Sequence, residues 1–214
     1  MTKHIFSTAY SDFRRPINLI ILLLVGIIFS VLYPSDIESY PVLPAEASTS
    51  AAVTLTERYV RYVPTAVQVV APLMLRDRIG LVQLLYVAIS NTIATQGMKY
   101  LLNDRWVMHT RLGQRPSSSK SKHNMPSGHS SMASCAVYFV GRRYSLLLGI
   151  LLAIILLMTM YARVAFNVHT ISAVIAGALT GLLTAALFTS PCRKKEPLDL
   201  AEDGVSTRAV DSVT

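Results

Sequence analysis

Two histidines stand forty residues apart in this chain: His129 closes Asn124-Met125-Pro126-Ser127-Gly128-His129, and His169 closes Arg163-Val164-Ala165-Phe166-Asn167-Val168-His169. One neutral imidazole can attack phosphorus while a second, protonated, donates to the departing oxygen. Such a transfer needs donors for the charge spread over the phosphoryl oxygens. The residue types for it lie beside the histidines. Arg115 and Arg163 offer forked contacts, Ser127 a hydroxyl, and Gly128 a backbone N–H that an anion can approach closely. No metal or other cofactor is called for: Asp104 is the only acid between Lys99 and His169, and the Cys and His spacing does not suit zinc.

The composition says what must position these groups. With 214 residues, 52% hydrophobic and only 15% charged, the chain is one domain too apolar for an ordinary soluble protein. Apolar runs of bilayer-crossing length recur at roughly 16–33, 59–75, 79–98, 128–142, 144–163 and 169–190. The pattern predicts an all-α polytopic membrane protein of six transmembrane helices. A membrane domain over 1–191 would be followed by a polar, disordered cytoplasmic tail over 192–214. The first run is read as a retained anchor, because it is of span length and Ala45-Glu46-Ala47 lies well past its end.

Basic residues in short loops set orientation. With a cytoplasmic N-terminus, Lys3, Arg14, Arg15, Arg76, Arg78, Arg142, Arg143, Arg193, Lys194 and Lys195 all fall inside, and the first outer loop carries Asp36, Glu38, Glu46 and Glu57. Both termini are then cytoplasmic. The exception is the outer loop from Lys99 to His129, where Lys99, Arg105, Arg111, Arg115, Lys120 and Lys122 face a single Asp104. A lone lysine there is a solvated group or a headgroup contact. The cluster as a whole fits an anionic phosphate, because this loop, the start of the fourth span and the junction of the fifth and sixth all emerge on one side. Helices four and six also begin there, with N–H groups and positive dipole ends turned to the same place.

These segments resemble the three signatures of the type 2 phosphatidic acid phosphatase family, six-helix integral membrane and related soluble phosphatases that work through a phosphohistidine. Pro126-Ser127-Gly128-His129 is the second signature without change, and Arg163 and His169 match the third. The resemblance covers spans three to six. It implies His169 as nucleophile, His129 as general acid, and Arg115, Ser127, Gly128 and Arg163 as phosphate ligands.

Two departures matter. The family's lysine, seven positions before the arginine of Arg-Pro, is Met108 here, so Lys99 or Arg111 must bring that charge. Arg111, four residues before Arg115 in the same loop, is the expected one, since Lys99 at a span edge suits a snorkelling role. In the third signature the terminal aspartate, which would orient the nucleophile, is Ala173, and the serine is Ala162. A backbone carbonyl, Asn167 or Ser172 could fix the imidazole instead.

Arg111 to Pro116, Asn124 to Met132 and Ala162 to Ile171 are also similar to segments of bacterial lipid A 1-phosphatases, members of the family that act at the periplasmic face of the inner membrane. That similarity implies removal of the 1-phosphate from lipid A. The partners called for are lipid A or a related lipid phosphate and membrane lipids, with no nucleic acid. Alternatives are an undecaprenyl diphosphate or phosphatidylglycerol phosphate phosphatase, a lipid-to-lipid phosphotransferase, or a non-catalytic phospholipid-binding protein. The paired histidines argue against the last, because a pure binding site needs arginines but no nucleophile. Other residues have bland readings: His109 and His123 as solvated loop groups, Tyr33, Tyr40, Tyr59 and Tyr62 as an interfacial belt, Asn91 and Gln96 as interhelical hydrogen bonders, and Cys135 and Cys192 as too far apart to bridge.

Overall fold

The computed structural model describes residues 15–41 and 43–192. Lys3, Arg14, Arg193, Lys194, Lys195 and, apart from Cys192, the polar tail expected over 192–214 lie outside the described residues. Helices α1 (Ile17–Leu32), α2 (Ala45–Thr49), α3 (Ala51–Arg58), α4 (Val63–Met74), α5 (Arg78–Leu102), α6 (Gly128–Arg143), α7 (Leu146–Ala165) and α8 (Ile171–Phe188) follow in order, with a 3-10 turn at Val60–Tyr62. A short hairpin pairs Trp106–Val107 (β1) with Thr110–Arg111 (β2).

Helices α5, α7 and α8 are long and apolar enough to cross a membrane, and α1 is a shorter apolar helix. Many large apolar side chains on these helices are exposed, among them Ile21, Leu22, Ile28, Ile93, Leu147, Ile154 and Leu157. In water this would be a liability; against lipid tails it is the ordinary surface. The run expected over 59–75 is broken: α4 starts only at Val63, with Pro64 in its first turn and Pro72 inside it.

Helix α6 sits at the centre, packed on α8, α7, α4 and α5. Small residues set that approach. A Cβ at Gly177 would run into the Ser127 carbonyl, one at Gly181 into the Ser131 carbonyl, and one at Gly149 would lie 2.6 Å from the Gly141 Cα. Polar groups then tie the helices together. Asn91 of α5 accepts from Ser131 of α6 at 2.5 Å and from Thr184 of α8 at 3.3 Å, whereas Gln96 points outward and is exposed. Cys135 is buried in α6 and Cys192 is exposed, and neither is in a disulfide.

At the end of the bundle that joins α4 to α5 and α6 to α7, one clasp holds several elements. Asp77 caps α5 through the Gly80 N–H at 2.8 Å and takes two bonds from Arg143, at 2.6 and 2.8 Å, and one from Tyr144 at 2.9 Å. Arg143 continues to Gln83 at 3.0 Å and to the Ser190 carbonyl at 2.9 Å. Burial raises the Asp77 pKa, but the Arg143 guanidinium and the Gly80 N–H outweigh it and hold the carboxyl below its ordinary value.

Candidate active site

The opposite end gathers the segment before α4, the end of α5, the 103–127 loop, the start of α6 and the α7–α8 connection. Asn167 adopts φ +52, a left-handed conformation that asparagine tolerates, and so turns the chain after α7. Its carbonyl accepts from Ser117 N–H at 3.0 Å, and its amide clasps Leu43 through N–H at 3.2 Å and carbonyl at 3.3 Å. The three loops are thus fixed to one another around this turn. Ser172 is equally engaged, exchanging bonds with Ser35 at 2.9 and 3.1 Å.

His169 stands in the α7–α8 connection and is almost fully buried. Its Nδ1 lies 2.7 Å from the Asn124 carbonyl. A carbonyl can only accept, so the neutral ring carries its proton on Nδ1 and leaves the Nε2 lone pair free. Asn124 is itself locked: its N–H donates to the Gly113 carbonyl at 3.0 Å, its Oδ1 accepts from Thr170 N–H at 3.0 Å, and its Nδ2 reaches Thr170 Oγ1 at 3.2 Å. The Asn124 carbonyl therefore occupies the orienting position left open by Ala173. Ala173 is buried in an apolar cluster with Leu112, Met125 and Ala176, and its carbonyl accepts from Ser127 N–H at 2.9 Å. Burial, and then the Arg163 charge, depress the His169 pKa well below the ordinary imidazole range, so the ring is neutral at neutral pH.

His129 is half-buried in the first turn of α6, within electrostatic reach of Arg163, Arg61 and Lys99. The α6 N-terminus has no side-chain cap, whereas α8 is capped by Thr170 Oγ1 on Ala173 N–H at 3.3 Å. Of the two helix starts expected to face an anion, α6 alone keeps its first turn unoccupied by a capping side chain. Ser127 is fully buried, its Oγ accepting from Ser130 at 3.1 Å.

Lys99 and Arg111 differ from expectation in where they stand. Helix α5 runs to Leu102, past the expected span end, because nothing between Met98 and Leu102 breaks it. Asn91, Thr95 and Lys99 recur every four residues, so the face that buries Asn91 and Thr95 also turns Lys99 toward α6. A Cβ on Gly128 would lie 3.5 Å from Lys99 Nζ, and Lys99 is within electrostatic reach of Arg115 and Arg163. Arg111 instead binds its own loop, donating to the Ser119 and Ser121 carbonyls at 2.8 Å each and pairing with Asp104 at 3.5 Å. Met108 is exposed at the hairpin turn with φ +54.

Two groups here carried no signal in the motifs. Glu57 of α3 accepts through Oε1 from Arg163 Nη1 and also from Arg61 Nη1. Glu57 read in the sequence only as one of the acids of the first outer loop, and the signal that could have joined it to Arg61 is their spacing of one helical turn. Three guanidinium Nε–H groups, of Arg61, Arg115 and Arg163, are buried with no acceptor among the described residues. Several cations with unused donors beside a single carboxylate have the chemistry that suits an acceptor-rich anion. His109 and His123 are exposed on the loop.

Helices long and apolar enough to span a membrane thus carry two histidines and a group of cations at one end of the bundle, and the chain belongs to the PAP2 superfamily, which its residues 80–196 match. Two curated relatives, both named lipid A 1-phosphatase and from two strains of Helicobacter pylori, are 43% and 41% identical over 152 residues, 71% of this chain and 78% and 79% of theirs. Among solved structures, a transmembrane PAP2-type phosphatidylglycerolphosphate phosphatase from Bacillus subtilis is similar at 20% identity and a TM-score of 0.45, covering 81% of this chain and 94% of that one.

Proposed function

We propose that this protein removes the 1-phosphate of lipid A at the periplasmic face of the bacterial inner membrane through a phosphohistidine on His169. The observation that carries the mechanism is the 2.7 Å contact between His169 Nδ1 and the Asn124 carbonyl. It fixes the tautomer in which Nε2 is the nucleophile. Nε2 attacks phosphorus, the bond from phosphorus to the sugar oxygen breaks, and His129 gives that oxygen its proton. The bound phosphate supplies the negative charge that lets His129 hold a proton among Arg163, Arg61 and Lys99. Water, giving a proton to His129, then attacks phosphorus, the bond from phosphorus to His169 Nε2 breaks, and inorganic phosphate leaves. Arg115, Arg163, Lys99 and the Gly128 N–H hold the phosphoryl oxygens, with Ser127 beneath them and Arg111 bracing the loop. No step calls for a metal.

The substrate assignment rests on the curated relatives' name, and the orientation on charge. Arg76, Arg78, Arg142 and Arg143 stand at the end away from the histidines, which agrees with six spans and both termini in the cytoplasm. Mass spectrometry of lipid A incubated with the purified protein tests the reading. Loss of one phosphate mass with wild type, and none with His169→Ala, is expected; lipid A left unchanged by wild type would refute it.

A further inference from the structure

Helix α6 ends in two consecutive arginines that part company. Arg143 turns inward and is taken up by Asp77, Gln83 and Ser190. Arg142, about 100° further round the helix, is exposed and has no hydrogen-bond or ion-pair partner among the described residues. Tyr138 lies one turn earlier on the same face, within electrostatic reach of Arg142, and its hydroxyl makes no hydrogen bond among the described residues.

Both side chains line a groove of about 530 Å³ at the clasp end of the bundle, with Pro16 and Leu19 from the start of α1 and Gly149 and Ala153 from α7. The groove is open because α1 packs along α8 and makes no comparable packing against α6 or α7. Where α6 and α7 cross, Gly141 meets Gly149 with no side chain to fill the gap, and Ala153 one turn on adds only a methyl. Space of this size is on the scale of a ligand site rather than of a packing gap. Its lining along α7 starts at Leu146 and reaches Ala153, about 10 Å of helix running into the apolar layer.

Depth and rim differ in chemistry. The deeper lining is apolar, whereas Arg142 stands in the last turn of α6 and Arg15, also exposed, immediately precedes Pro16. No acid lines the groove, and Asp77, the one acid at this end among the described residues, is held by Arg143. An apolar groove open to a bilayer takes acyl chain, and a cationic rim selects an anionic headgroup.

We propose that the groove between α1 and the α6–α7 hairpin binds an anionic phospholipid of the leaflet at the clasp end, with its phosphate at Arg142, beside Arg15, and an acyl chain over Gly149 and Ala153. The lipid ties α1 to a hairpin that it does not otherwise pack against. It is a structural partner and not the substrate, since the groove lies at the end away from His129 and His169.

Delipidated protein in detergent is titrated with phosphatidylglycerol, or with phosphatidylcholine, whose headgroup has no net charge, and the thermal unfolding midpoint is followed. For wild type, the half-maximal rise in midpoint is expected at about tenfold less phosphatidylglycerol than phosphatidylcholine. Arg142→Ala, or Arg142→Gln if the alanine variant shifts the lipid-free midpoint, should lower that preference about fivefold, the scale of one basic side chain at an anionic headgroup. Ala153→Phe, which fills the groove, should weaken both lipids alike, and Arg115→Ala, at the histidine end, should leave the preference unchanged. An equal response of wild type to the two lipids, a full preference in the Arg142 variant, or undiminished binding by Ala153→Phe would each overturn the site. Loss of the preference in Arg115→Ala would move the lipid to the histidine end and overturn it too. So would a midpoint that rises with protein concentration and not with lipid, because a second copy of the chain would then fill the groove.

Discussion

His169 is held by a backbone carbonyl where a side-chain carboxylate would serve in the wider family, and the register of that carbonyl depends on Asn124, whose amide grips Thr170 on both sides. Asn124→Ala keeps the carbonyl but frees it to drift. A misplacement of this kind costs about 10²-fold. The expected outcome is a fall of that order in kcat with little change in KM, measured by phosphate release. The supplementary cation is the second point at this scale. Lys99→Ala should lower kcat by about 10²–10³-fold, as for loss of an oxyanion donor, and Arg111→Ala by less than about tenfold. The reverse order in a side-by-side assay would return Arg111 to the site.

Among the elements, the strongest constraint lies far from the chemistry. Asp77, Arg143, Gln83 and Ser190 join the ends of α5, α6 and α8, and both members of the ion pair are nearly buried. Asp77→Ala leaves the guanidinium unpaired, a loss of about 3–5 kcal/mol when one partner of a buried pair is removed. Thermal unfolding in detergent should show a clearly lowered midpoint, while kcat of the folded fraction stays near wild type because the site is at the other end. The sequence made the helices and the two histidines legible, since span-length apolar runs and Pro126-Ser127-Gly128-His129 are local signals. Arg143 read only as one more inside charge, because its partner Asp77 lies sixty-six residues away. Where Lys99 stands was not legible for a related reason: its place beside Gly128 depends on α5 continuing to Leu102, and helix ends are set by tertiary context as much as by local residues. Glu57 and Arg61 stand outside the matched family range and carry no signature.

For the whole molecule, one end carries the histidines and the other the Arg143 clasp, so membrane orientation decides which leaflet supplies the substrate. Ser118 is exposed on the loop at the histidine end, and Cys192 is exposed after α8 at the other. A cysteine at Ser118 should react with a membrane-impermeant maleimide in intact spheroplasts while native Cys192 does not; the opposite pattern would invert the topology and exclude a periplasmic substrate. The central claim is the covalent intermediate, and rapid quenching with radiolabelled lipid A phosphate followed by peptide mapping tests it most directly. Label on His169, stable in base, lost in acid and absent from His169→Ala, is the expected result. Full turnover by His169→Ala, or label on another residue, would contradict the account.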